Sequence, residues 1–367
     1  MILSDYLYHK ASQKKVPLMG TFELSQVCNF ACRMCYVRKT MHQIAQEGKS
    51  LIPWERWLDL ARECREAGTL YLLLTGGEPF LYPGFRELYT RLHQMGFLIY
   101  INSNGTMIDA ETVQWLKQNA PCRVNITLYG ISRETYQRIC GHADGYDRAM
   151  DAIRMLKEAG IPVVINASMI PENADDLESI IQTGKSLGIN TRVATYMFPP
   201  MRRDSESGDS RFTPEQSAAM YLRKQRCILP PEAYCQLLHR SGKPTEEQSA
   251  DDWGTHEEFM SCRAGRSSFW VNWEGNMTAC GMLDFPLVVH PFQDPFRECW
   301  EVLTNRVRTT PVLKGCAGCD KRHICNPCVA MIYGETGTVD QKSPYMCHLA
   351  ECVIQKMKQE LEELQHE

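Results

Sequence analysis

The chain has 367 residues, 44% hydrophobic and 23% charged, proportions of folded globular proteins that exclude collagen-like, mucin-like and intrinsically disordered classes. Forty basic against 44 acidic residues give a net charge of −4, with no basic block long enough to bind a polyanion, so no nucleic-acid partner is expected. The longest apolar run, residues 70–74, and an N-terminus interrupted by Asp5, His9 and Lys10 fit neither a membrane helix of roughly 18 residues nor a secretory signal, so no membrane partner and a cytoplasmic location are expected. Seventeen cysteines are too few for a disulfide scaffold and too many for an ordinary cytosolic enzyme, which points to metal.

Residues 1–20 read as an N-terminal extension. From residue 21 to about 196, strand-like runs alternate with amphipathic patterns at the spacing of parallel βα units. The first strand is expected at 22–27. Pro53 then opens a helix with Trp54, Trp57, Leu58, Ala61 and Cys64 on one face, closed by Gly68. A strand at 69–75, a helix between Pro83 and Gly96, and strands at 97–102 and 122–128 follow. Tyr146, Ala149, Met150, Ile153 and Leu156 form a stripe ended by Gly160, and after a strand at 163–169 a second stripe, Leu177, Ile180, Ile181 and Leu187, ends at Gly188. The sixth strand is expected at 190–196. Six units predict an α/β fold, a partial (β/α)6 TIM-like barrel over 21–198.

Residues 199–261 read as a bridging region, with polar loop or hinge segments at 199–210 and 241–258. Residues 262–352 lose the βα rhythm and hold nine of the 17 cysteines, which marks a separate cysteine-rich module. Residues 353–367, rich in Lys, Gln and Glu, read as a polar C-terminal helix acting as a solvated cap.

Cys28, Cys32 and Cys35 lie in the segment CNFACRMC directly after the first strand. Three thiolates so spaced can hold three irons of a four-iron cluster and leave the fourth open to a ligand, or they can form a zinc site short of its fourth ligand. The C-terminal ends of parallel strands are where barrels place their chemistry, and two more loops there are distinctive. Gly76, Gly77, Glu78 and Pro79 follow the second strand; the glycines allow close backbone approach and Glu78 offers a carboxylate to an ammonium group. Ser103, Asn104 and Gly105 follow the third, suited to hydroxyl and carboxylate ligands. Either loop alone is equally a plain turn.

CNFACRMC followed by Tyr36, with GGEP after the next strand, resembles the radical S-adenosylmethionine (radical SAM) superfamily over about residues 21–196. The resemblance implies that Cys28, Cys32 and Cys35 hold a 4Fe-4S cluster whose open iron chelates S-adenosylmethionine. It implies that Gly76, Gly77, Glu78 and Pro79 hold the amino group of that cofactor. It further implies cofactor contacts from Tyr36, Ser103 and Asn104, a ribose contact from Thr127 and a carboxylate contact from Arg138, together with a low-potential electron donor such as a flavodoxin or ferredoxin.

The second constellation is Cys262, Cys280, Cys316, Cys319, Cys325, Cys328 and Cys347. Its two Cys-x-x-Cys pairs allow a zinc ribbon, although seven cysteines exceed what one zinc takes. The pattern also resembles the SPASM extension of radical SAM enzymes, which implies two auxiliary iron-sulfur clusters of the 4Fe-4S type. On that resemblance Cys316, Cys319, Cys325 and Cys347 hold one, and Cys262, Cys280 and Cys328 hold the other, with His256, Cys235 or Cys352 as candidates for its fourth ligand. Only two residues separate Cys325 from Cys328, where the SPASM pattern has three.

Enzymes with this extension mostly modify ribosomal peptides, so a peptide substrate and an oxidative thioether or carbon-carbon cross-link are expected. The alternatives are a dehydrogenase or epimerase acting on a small molecule or peptide, formylglycine formation, and a non-catalytic metal-binding or electron-transfer protein. Formylglycine formation is disfavoured because Gly281 follows Cys280 where sulfatase maturases carry an aspartate, and Asp284 is not equivalent. With about 20 residues before the first strand, leader recognition is expected to need a separate partner or the barrel itself.

Overall fold

A computed structural model describes residues 3–199, 210–241, 260, 262–312, 316, 319–321, 323–325 and 327–366. The chain divides into two compact units, Met1–Asn166 with Arg263–Thr310, and Ala167–Cys262 with Pro311–Glu367.

The first unit opens with α1 (Leu3–Lys14) and then alternates strands and helices: β1 (Met19–Glu23), α2 (Met41–Gln46), α3 (Trp54–Glu66), β2 (Tyr71–Thr75), α4 (Phe85–Gln94), β3 (Leu98–Ser103), α5 (Ala110–Gln118), β4 (Arg123–Thr127), α6 (Arg133–Cys140), α7 (Gly145–Glu158) and β5 (Val163–Ser168). Strands β1 to β5 pair in parallel in chain order, with Met19 opposite Tyr71 and Tyr71 opposite Leu98. Successive pairing is the outcome expected when each strand is followed by a helix that crosses back over the sheet. The stripe read on α3 is buried at Trp57, Leu58, Ala61 and Cys64, and Trp57 meets Phe22 of β1 with ring centroids 5.0 Å apart. Complete burial of each such ring contributes about 1.5–3 kcal/mol.

Two further strands, β7 (Ser268–Val271) and β8 (Met277–Thr278), and helix α11 (Phe296–Thr309) belong to this unit. Strand β7 runs parallel to β1, Met19 opposite Ser268, and β8 pairs antiparallel with β7. The segment expected as one cysteine module is therefore shared between the units: its first part satisfies the free backbone edge of β1. Phe269 and Trp273 are buried, Phe269 against Phe296 and Trp300.

The second unit starts within β5. The sixth strand expected is β6 (Asn190–Ala194), and Met169 N, just after β5, donates to Ala194 O at 2.9 Å; α8 (Leu177–Leu187) ends at Gly188 in the left-handed region. Helices α9 (Pro214–Ile228) and α10 (Pro231–His239) occupy the bridging region, α9 started by a Thr213–Gln216 capping box with Pro214 at its first turn. The flanking segments read as loops, 199–210 and 241–258, lie, apart from residues 199, 210 and 241, outside the described residues.

Helices α12 (Val329–Thr336) and α13 (Pro344–His366) end the chain. The expected solvated cap needs correcting: α13 starts earlier and buries Cys352, Val353 and Met357 against Ala218 and Leu222 of α9 and Tyr234 and Leu238 of α10, with Leu349 and Leu361 packed alongside. Positions 349, 352, 353, 357 and 361 form one helical stripe inside a charged sequence.

Candidate active site

Parallel strands in chain order bring the ends of β1, β2, β3 and β4 to one edge of the sheet, and the loops leaving them build the site. The loop after β1 carries the three cysteines. Its base is held by the loop after β2, where Gly77 N donates to Ser25 O at 2.7 Å and Glu78 N to Val27 O at 2.8 Å. Its tip is held by the end of α6, where Ala31 N donates to Cys140 O at 2.9 Å and Arg33 N to Ile139 O at 3.1 Å. Both glycines are required. Gly76 has φ +150°, and a Cβ there would sit 2.3 Å from Ser25 O; one on Gly77 would sit 2.3 Å from Val27 O.

Glu78 is completely buried. Its carboxylate accepts from Ser103 Oγ at 2.9 and 3.1 Å, Asn104 N at 2.8 Å and Phe80 N at 3.2 Å. These hydrogen bonds join the loops after β2 and β3 through the Glu78 carboxylate. Burial raises its pKa to about 7, against the lowering effect of the same hydrogen bonds. Pro79 and Ser103 are buried with it, and Ser103 Oγ also accepts from Gly105 N at 2.9 Å.

Cys28 lies beside this brace. Asn104 Nδ2 approaches its sulfur at 3.7 Å and donates to Asn29 Oδ1 at 2.9 Å, while Asn29 Nδ2 donates to Thr106 Oγ1 at 2.7 Å. Burial pushes the Cys28 thiol up to about 12, helped by the charges of Glu78, Cys32 and Cys35. Cys32 is pushed up by its contact with the Cys140 side chain first and by burial second, with Arg38 opposing. The Tyr129 hydroxyl is raised by burial and then by Cys32, Cys140, Cys35 and Cys28. Thiols so placed would become thiolates only around positive charge, such as a metal would supply.

One zinc with bonds of about 2.3 Å would draw its sulfurs to roughly 3.8 Å from one another. Among the described residues the only trio of ligand atoms within 4.8 Å is Glu215, His348 and Cys352. The sulfurs of Cys28, Cys32 and Cys35 therefore do not stand at the spacing that a single zinc would set.

Thr127 ends β4, and its carbonyl accepts from Tyr136 Oη at 3.4 Å. Arg138 stands on α6, two residues before the carbonyl that holds the cysteine loop, and pairs with Glu134 at 3.6 Å while remaining half exposed. Tyr36 is half-buried next to Cys35. Asn29, Thr106 and Cys140 were not singled out from sequence; the one local signal was that Asn29 falls between two of the cysteines.

The sequence of residues 22–184 matches the Radical SAM superfamily. Residues 22–184 are a radical SAM domain. Over 339 residues, 90% of this chain and 96% of its relative, the sequence is 24% identical to an AdoMet-dependent heme synthase of Methanosarcina barkeri. It is 25% identical to the sporulation killing factor maturation protein SkfB of Bacillus subtilis, over 74% of this chain and 62% of that protein. The fold is that of anSMEcpe solved with bound AdoMet, with TM-score 0.69, 14% identity and coverage of 94% of this chain and 99% of that one. It is also that of Streptococcus suis SuiB bound to its precursor peptide SuiA, with TM-score 0.65, 15% identity and coverage of 94% and 80%.

Outside the radical SAM domain, Cys280 belongs to the first unit, after β8, whereas Cys262, Cys316, Cys319, Cys325, Cys328 and Cys347 belong to the second. Within the second unit, Cys319 N donates to Cys316 O at 3.2 Å, and the Cys325 thiol lies 4.0 Å from the carbonyl of Met346, the neighbour of Cys347. Cys328 is exposed and caps α12, its sulfur accepting from Met331 N at 3.4 Å. Cys352 is committed to the packing of α13, Cys235 is half-buried on α10, and His256 lies outside the described residues.

Proposed function

We propose that this radical SAM enzyme oxidatively modifies a peptide, forming a thioether or carbon-carbon cross-link. In this reading Cys28, Cys32 and Cys35 would hold the 4Fe-4S cluster, and Tyr36 with the loops carrying Gly76, Gly77, Glu78, Pro79, Ser103, Asn104, Thr127 and Arg138 would hold S-adenosylmethionine. Bound there, these groups supply a 5'-deoxyadenosyl radical that abstracts a hydrogen from the substrate. Cys316, Cys319, Cys325 and Cys347, and Cys262, Cys280 and Cys328, would hold auxiliary clusters able to accept electrons, and a flavodoxin or ferredoxin would be the electron donor.

The observation that carries the reading is the clamp of the GGEP loop on the cysteine loop through Gly77 N to Ser25 O and Glu78 N to Val27 O. It fixes the three thiols relative to the neighbouring loops, and fixed geometry is what radical chemistry asks of the protein. Glu78 holds that clamp to β3, and Asn104 orients Cys28. The relation to SkfB and the likeness to SuiB with a precursor peptide support a peptide substrate. A second reading, oxidation of a small molecule on the way to heme, is favoured by the near full-length match to the heme synthase.

The test is anaerobic incubation of the reconstituted chain with S-adenosylmethionine and dithionite. We expect 5'-deoxyadenosine from the wild type and none from a variant with Cys28, Cys32 and Cys35 replaced by Ala; equal product from both would overturn the assignment. Deuterium passing into 5'-deoxyadenosine from a deuterated peptide library supports the peptide reading, and passage only from a deuterated porphyrin supports the other.

A further inference from the structure

His323 lies between Cys319 and Cys325, in a tight turn where Ile324 N donates to Lys321 O at 3.0 Å and Cys325 N to the same carbonyl at 2.8 Å. Both of its ring nitrogens are buried, and neither has a hydrogen-bond partner among the described residues. A neutral imidazole carries one donor and one acceptor, and a buried polar group without a partner is rare enough to require a cause. Here two such atoms belong to one side chain, inside the loop that carries Cys316, Cys319 and Cys325, with Cys325 directed to the residue before Cys347.

Direct ligation of a single ion is not the cause, because among the described residues no trio of ligand atoms within 4.8 Å includes His323. Among the described residues the carbonyls and side chains of the turn do not satisfy it either. The loop is rich in cysteine sulfur, with Cys316, Cys319 and Cys325 along it. Sulfides and thiolates of an iron-sulfur cluster accept N–H hydrogen bonds, and such bonds raise the cluster's reduction potential by stabilising the more negative, reduced state.

We propose that the His323 ring N–H donates to the iron-sulfur cluster held by Cys316, Cys319, Cys325 and Cys347, and so sets that cluster's reduction potential. The proposal rests on the reading of these cysteines as cluster ligands. His323 acts through the cluster and is a tuning residue, not a catalytic one. Its position suits a relay, since a raised potential makes the cluster a better acceptor of the electron left on an oxidised substrate.

The experiment uses the full chain with Cys28, Cys32 and Cys35 replaced by Ala, reconstituted anaerobically, so that only auxiliary clusters are observed. Iron per chain is measured first, then the reduced fraction is followed by electron paramagnetic resonance during a redox titration, for the parent and for His323→Leu and His323→Asn. We expect about eight irons in all three. We expect one of the two cluster signals to become about tenfold harder to reduce in His323→Leu, a shift of about 59 mV for one electron, with partial recovery in His323→Asn, which keeps an N–H donor. An unchanged titration in His323→Leu overturns the proposal, and so does a loss of four irons, which would make His323 a ligand instead. A parent holding no iron overturns the auxiliary-cluster reading itself.

Discussion

Replacing Gly77 by Ala tests the clamp most directly, because Gly77 has an ordinary backbone conformation and the substitution adds only a methyl group. That methyl would lie 2.3 Å from Val27 O, 2.6 Å from Val27 C and 2.7 Å from Gln26 O. Ordinary contact begins at 3.4 Å, so the backbone immediately before Cys28 must retreat by about 1 Å, or the GGEP loop must lift. Either movement breaks the hydrogen bonds from Gly77 N and Glu78 N, each with a net contribution of about 1 kcal/mol, on top of about 1–3 kcal/mol of overpacking. The expected loss of stability is about 3–5 kcal/mol. Misplacement of about 1 Å next to a reacting centre costs on the order of 100-fold in rate. Urea unfolding, iron per chain and the rate of 5'-deoxyadenosine formation measure these effects together. Gly160→Ala is the control: its φ is +74° but nothing lies within 4 Å, so it should cost about 1 kcal/mol and leave the rate unchanged. Wild-type iron, rate and stability in Gly77→Ala would refute the reasoning.

Glu78→Gln addresses the brace. Because burial raises the Glu78 pKa from 4.5 to about 7, the folded state binds this proton more tightly than the unfolded state between those values. Stability therefore falls as pH rises through that window, by about 3 kcal/mol, and Glu78→Gln should lack this slope; parallel wild-type and variant curves in urea unfolding at pH 5 to 7.5 would contradict it. Met357→Ala opens the interface of α13 with α9 and α10 and should cost about 2–5 kcal/mol, seen as faster amide exchange in those three helices. Glu335→Ala removes the carboxylate that Arg211 meets at 2.8 Å and Tyr196 at 2.7 Å, in a pair whose side chains are only 15% and 7% exposed. It should cost about 3 kcal/mol, with a smaller loss in Glu335→Gln; equal thermal unfolding of the three proteins would argue against a structural role.

Much of the βα succession, through the first unit and into the second, was legible because it is written in local periods. The stripes on α3, α7 and α8 and the glycines after them need no information beyond one helix, and strands separated by helices can pair only in a few ways. The cysteine, GGEP and Ser103–Asn104 segments could be placed at one edge for the same reason. The stripe on α13 was also present in the sequence, but its charged residues masked it, and the Thr213–Gln216 capping box announced α9 inside a stretch read only as a bridge.

What the chain order cannot carry is contact between residues far apart along it. Only tertiary structure turns the Glu78 carboxylate inward onto Ser103 and Asn104, sets Cys140 beside Cys32, and adds β7 to the edge of β1 across more than 240 residues. It also leaves both nitrogens of His323 buried, in the loop between Cys319 and Cys325. Residue type and spacing determined which groups are available for chemistry, since these are local properties of the chain. Which of them face one another was decided by packing, because burial obliges each polar group to take a partner that the fold, and not the neighbouring sequence, puts within reach.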